Sequence, residues 1–135
     1  MVIPVTLTGK YIPEWNGNRD ASDPIVVKHK LPTMELVEEL IPKPVIKMHT
    51  GSEGVEGGEM EMVIDPRKFV KRMVNSISGC TIEITKDDGS VTTKVITSAE
   101  DLYSTGVPAS LSGLSEELGS YFQKILSQRT IDSKN

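Results

Sequence analysis

The stretch DPRKFVKRMVNSISGCTIEITKDDGSVTTKVI, residues 65–96, decides the fold. Asp65 followed by Pro66 has the form of a helix start. The carboxylate accepts from free backbone N–H groups, and a proline at the first helical position loses no hydrogen bond. Phe69, Val70, Met73, Val74 and Ile77 recur at helical spacing, and Gly79 is placed to end the helix in a left-handed turn. Cys80 to Thr85 and Val91 to Ile96 then read as two strands, joined by a turn at Asp87, Asp88, Gly89 and Ser90. Helix, stop, strand and turn signals agree here and nowhere else in the chain, so this stretch is the expected folding nucleus. Burial of its five helix side chains contributes roughly 8–15 kcal/mol gross, at about 1.5–3 kcal/mol each.

The segments on either side are simpler. Residues 2–8 place apolar groups at Ile3, Val5 and Leu7, the period of a half-buried strand, and Pro4 suggests an edge. Residues 9–23 read as a loop and residues 24–30 as a second strand able to pair with the first. Thr33 caps a short helix carrying Leu36, Val37, Leu40 and Ile41, which Pro42 and Pro44 stop. Residues 50–59 hold glycines and glutamates around one valine, too little apolar surface to offset ordering, and read as a mobile loop. Thr97 to Glu100 fits a capping box for a helix ending near Tyr103. A last helix over residues 112–126 carries Leu114, Leu118, Tyr121, Phe122, Ile125 and Leu126 as an apolar stripe, and residues 127–135 read as a frayed tail. The expected architecture is a small single α+β domain over residues 1–126. It comprises an N-terminal strand pair, a central helix followed by a β-hairpin, and a C-terminal amphipathic helix.

Composition narrows the function. Aromatics are only 4% of the 135 residues, so Val, Ile, Leu and Met must build the core. A net charge of −4 gives no general attraction to nucleic acid or anionic membrane. The single Cys80 excludes an intramolecular disulfide and fits a reducing compartment. No apolar run approaches the ~20 residues of a membrane span, and residues 1–5 lack the basic start of a signal peptide. A cytosolic protein is the expectation.

Chemistry is sparse. His29 and His49 have no partner at metal-ligand spacing, and His29 reads as a solvent-exposed strand residue. Cys80 stands on the side of Ile82 and Ile84, as a buried apolar cysteine would. Glu53, Glu56 and Glu59 match no calcium loop. No catalytic residue, metal or cofactor is expected. Two features suggest partner contact instead. One is the loop from Tyr11 to Arg19, where the only tryptophan, Trp15, stands with Asn16 and Arg19 as an interface anchor. The competing reading folds Trp15 back over the core and pairs Arg19 with an acid. The other is the helix face Arg67, Lys68, Lys71 and Arg72, a basic patch or else a solvated face paired with the Glu-rich loop. No aromatic interleaves with these cations, which disfavours nucleic acid.

Three segments together resemble small tail-morphogenesis proteins of tailed bacteriophages, the tail assembly chaperones and their kin. They are Tyr11 to Arg19 continued by Ile25 to Thr33, Phe69 to Gly79, and Thr97 to Leu102 with Val107 to Ala109 and the closing helix. The resemblance implies a non-enzymatic role in the host bacterial cytoplasm, binding tape-measure and tail-tube proteins. Trp15, Asn16, Arg19, Leu118, Tyr121 and Phe122 would be the contact residues. A structural virion component, such as a tail-tube, connector or ring subunit, would fit the same signatures, and a homo-oligomer is compatible with both. A small metal-binding module or enzyme would need His29, His49, Cys80 or Glu53 to Glu59 to converge.

Overall fold

The computed structural model describes residues 1–41 and 65–128. The chain forms a small α+β domain with antiparallel strands. Strands β1 (Thr8–Tyr11), β2 (Val26–Lys30) and β3 (Val74–Ser78) make a three-stranded sheet in that order. Strands β4 (Cys80–Thr85) and β5 (Val91–Ile96) form a separate ribbon. The helices are α1 (Met34–Leu40), α2 (Pro66–Met73), the single turn α3 (Ala99–Leu102) and α4 (Ser112–Ser127). Short 3-10 segments lie at Trp15–Asp20 and Ala109–Leu111.

Strand alternation directs Val27 and His29 inward and Lys28 outward, so β2, the central strand, presents its inner face to the helices. Helix α4 supplies Leu114, Leu118, Phe122 and Leu126 to the same core, at the i, i+4 spacing of one helical face, and all four are fully buried. Helix α2 adds Phe69, Val70 and Met73. The two helices meet closely at Gly119: a Cβ there would lie 2.4 Å from Pro66 Cβ, so only glycine permits the approach. The expected caps form at Asp65 and Thr33, whose side chains accept from Arg67 N–H and Leu36 N–H.

Several expectations are corrected. Helix α2 stops at Met73, and Val74 to Ser78 become β3. The periodic apolar set fits a helix, but Asn75, Ser76 and Ser78 are weak helix formers, and β2 offers an open ladder edge that takes Val74 to Ser78 antiparallel. Gly79 is therefore not a helix terminator. It lies at φ 73° between β3 and β4, a bend in a nearly continuous strand. The first strand is Thr8–Tyr11 rather than residues 2–8, because Lys30, the last residue of β2, pairs with Thr8, and the chain turns away after Leu31. His29 is buried, 1% exposed, and not a solvent-facing residue. The cap of α3 lies one residue later than expected: Ser98 Oγ accepts from Asp101 N–H, and Asp101 reaches back to Thr97. The loop expected over residues 50–59, the stops at Pro42 and Pro44, and the tail beyond Gln128 lie outside the described residues. So does His49 with Glu53, Glu56 and Glu59.

Candidate protein-binding surface

The tryptophan loop is a rigid hook held by one side chain. Glu117 projects from α4 and accepts from Tyr11 Oη at 2.7 Å, from Glu14 N–H at 2.8 Å and from Trp15 N–H at 2.8 Å. The carboxylate thus satisfies the leading N–H groups of the 3-10 segment from across the fold. Asn18, buried, closes the loop from the other side: its amide donates to the carbonyls of Pro13 and Ile25, and its oxygen accepts from Ile25 N–H. Asn16 stands at φ 54°, a left-handed conformation that asparagine tolerates better than most residues. Arg19 donates to the Ile12 carbonyl and pairs with Glu14. Trp15 is half-buried against the core, as the competing sequence reading has it, while Asn16 and Arg19 stay exposed.

Behind the hook, Tyr11 stacks on Tyr121 with ring centroids 3.9 Å apart. Tyr121 Oη lies 3.2 Å from His29 Nε2, and His29 Nδ1 lies 2.8 Å from the Lys30 carbonyl oxygen. Only an Nδ1–H can satisfy that carbonyl, leaving Nε2 to accept from the tyrosine in the neutral ring. Both ring nitrogens are engaged, which is how a histidine sits in this core. Leu118 and Phe122, named as contact residues from the sequence, are fully buried and belong to the core, because α4 turns that face onto the sheet. Tyr121 is only part-buried and borders an open cleft of about 470 Å³ with Glu117 and Lys124.

Burial first, then the hydrogen bond to Glu117 and its negative charge, push the Tyr11 phenol up to about 12. In the unfolded chain the group ionises near 10. The stability held in its neutral form is therefore complete below about pH 10 and lost as pH rises toward about 12. Tyr11→Phe is expected to cost about 1 kcal/mol at neutral pH through the lost hydrogen bond. Urea midpoints across the alkaline range should show the gap between wild type and variant closing as pH rises. A gap that stays constant would sink the assignment.

The basic face does not stay free. Arg72 meets Glu39 of α1 through two nitrogens, at 2.5 and 3.1 Å, and Lys68 Nζ lies 3.4 Å from the Glu39 carbonyl oxygen. The hydrogen bond with Arg72 holds the Glu39 carboxyl below its usual range. Arg67 and Lys71 lie over the Tyr103 ring, 5.2 and 5.7 Å from its centroid. The patch thus fastens α1 to α2 and flanks Tyr103. Arg72 thus finds its acid in Glu39, 33 residues away, while the Glu-rich loop offered as the partner of this face lies outside the described residues.

Cys80 is buried, and burial pushes its thiol up. Among the described residues no three His, Cys, Asp or Glu side chains gather as a metal site, and no helix is long and apolar enough to cross a membrane. A cleft of about 300 Å³ separates the hook from the root of the ribbon, lined by Trp15, Asn16, Gly17, Ala21 and Thr81 over Cys80.

Two features were missed from the sequence. Glu117 carries a signal: it stands on the flank of the apolar stripe, three residues after Leu114 and four before Tyr121, where a solvated acid is out of place. The exposure of most of the ribbon carries none, because Val, Ile and Thr occupy both of its faces. Compared with protein-family models, with curated proteins and with solved structures, the chain matches none of them.

Proposed function

We propose that this protein is a non-enzymatic morphogenesis factor of a bacteriophage tail, an assembly chaperone that binds tape-measure and tail-tube proteins in the cytoplasm of the host bacterium. The resemblance of the three segments named above to such proteins supplies the partner class. The observation that carries partner binding is the preorganised hook: its backbone is fixed by Glu117 and Asn18, while Asn16 and Arg19 stand exposed beside the cleft at the ribbon root. A loop already held in one conformation loses little freedom on binding, so its contacts are retained as affinity. Behind it, His29 and Glu117 are engaged within the fold: His29 with Tyr121, Glu117 with the hook.

Co-expression with the tape-measure protein of the same phage tests the reading. Wild type is expected to raise its soluble yield. Thr81→Arg, which fills the cleft from an exposed position, and Asn16→Gly, which keeps the backbone conformation, together are expected to weaken capture about tenfold, the equivalent of ~1.4 kcal/mol. Unchanged tape-measure solubility with wild type rejects the proposal.

The second reading, a structural component of the particle, is favoured by the separate, largely exposed ribbon, whose outer edges could join a neighbour's sheet. Mass spectrometry of purified particles separates the two, since a chaperone is absent from the finished tail.

A further inference from the structure

Among the described residues, seven of the nine large apolar side chains left bare lie in two places, Ile12 and Met34 being the others. In the segment before β1, Met1, Val2, Ile3, Val5 and Leu7 are 62–113% exposed. On the ribbon, Val91 and Val95 are 58% and 57% exposed. The ribbon's register, with Thr81 opposite Val95, Glu83 opposite Thr93 and Thr85 opposite Val91, puts both valines on one face with threonines and a single charge. Among the described residues β5 pairs with β4 alone, so its second edge presents unpaired backbone groups.

The segment before β1 has the complementary deficiency. Leu31 N–H donates to the Leu7 carbonyl at 2.9 Å, one rung beyond β1, and Pro32 then restricts the chain that would continue the ladder. Alternate residues of an extended chain face the same edge, so on extension Ile3 and Val5 would present theirs on the side of Leu7. Pro4, which has no N–H, falls on the opposite edge, where a strand needs none. One edge of the segment is thus suited to pairing, and it lacks a partner strand among the described residues.

We propose that this segment of one copy adds as a strand to the free edge of β5 in a second copy, setting Ile3, Val5 and Leu7 beside Val91 and Val95. The ribbon of the same chain is badly placed to receive it. Thr8 pairs with Lys30 at one end of the sheet, whereas Val26 pairs with Ser78, next to the ribbon root, at the other. Followed backward from Thr8, the chain leaves the sheet away from its own ribbon. The reach suffices: residues 1–7, once extended, span ~23 Å against ~20 Å for a six-residue strand. A reciprocal exchange would engage about a dozen residues a side, below the ~20–30 of a standard interface, so the association is reversible and concentration-dependent. This self-association goes beyond the tail reading and is tested on the protein alone.

Light scattering after gel filtration of the full chain, over a range of concentrations, provides the test. Wild type is expected to move from monomer to dimer or larger as concentration rises. An Ile3→Asp/Val5→Asp variant and a Val91→Glu/Val95→Glu variant are each expected to stay monomeric. All four positions are exposed, so circular dichroism and melting of both variants should match wild type. Mixed in equal amounts, the two variants should associate, because one retains the ribbon and the other retains the segment. A wild type monomeric at every concentration overturns the proposal, as does either variant associating alone. A mixture that stays monomeric overturns it too.

Discussion

Phe122→Ala is expected to destabilise the protein by about 3–5 kcal/mol, the range for an aromatic removed from a closed core. Phe122 is fully buried, and its ring meets His29 and Tyr121 edge-on at 5.3 and 5.4 Å. Truncation leaves a void beneath β2 and removes one of the two rings that hold His29. The polar ring then faces a cavity rather than packed atoms, so the loss extends beyond the transferred area. Urea or thermal denaturation reads the effect, with a melting point about 10–20 °C lower. A loss under about 1 kcal/mol would mean that α4 does not seat Phe122 against the sheet.

Gly79→Ala is the second large effect, and it acts on backbone rather than core. At φ 73° a side chain is strained by about 1–2 kcal/mol. The new Cβ would also stand 2.4 Å from the Pro24 carbonyl oxygen and 3.0 Å from its carbon, atoms that cannot move aside without displacing the start of β2. A total of about 3 kcal/mol or more is expected. Gly89→Ala at the ribbon tip is the control, because it has the same sign of φ with open space around it, and only the conformational part should appear. Reaction of the Cys80 thiol with a soluble reagent gives a local readout. Cys80 is buried next to the bend, so its labelling should accelerate in the Gly79 variant and not in the Gly89 variant. Equal effects at the two glycines would show that the Pro24 contact does not matter.

The elements that the sequence predicts well are those whose signals are local. Asp65 and Thr33 cap their helices, α4 occupies its expected span, and β4 and β5 pair in the expected hairpin. The misreadings share one physical cause, a partner distant in the chain. Val74 and Ile77 satisfy a helical period, yet β2, nearly fifty residues earlier, draws them into a ladder. His29 looks like a surface residue until Tyr121, 92 residues later, supplies a hydrogen bond that lets it be buried. Arg72 takes as its partner Glu39, which stands 33 residues away on another helix. For the candidate surface, Trp15, Asn16 and Arg19 could be singled out because rare or strongly interacting side chains cluster in a polar loop. What fixes their geometry could not, since Glu117 lies 102 residues from Trp15.

The clasp between β1 and α4 has a consequence in time as well as space. Synthesis delivers Tyr11 and the hook early, but the carboxylate that organises them belongs to residue 117 and the ring that stacks on Tyr11 to residue 121. Until α4 has emerged, β2 has no Phe122 to pack on His29, and its second ladder partner, β3, comes only with residues 74–78. Contacts so far apart in sequence close late and together, since each loop must lose its entropy before any contact returns it. A nascent chain stopped before α4 therefore has the edges of its central strand paired but its inner face without the cover of that helix, an apolar surface open to unwanted association. Completion of one helix converts it into a closed domain.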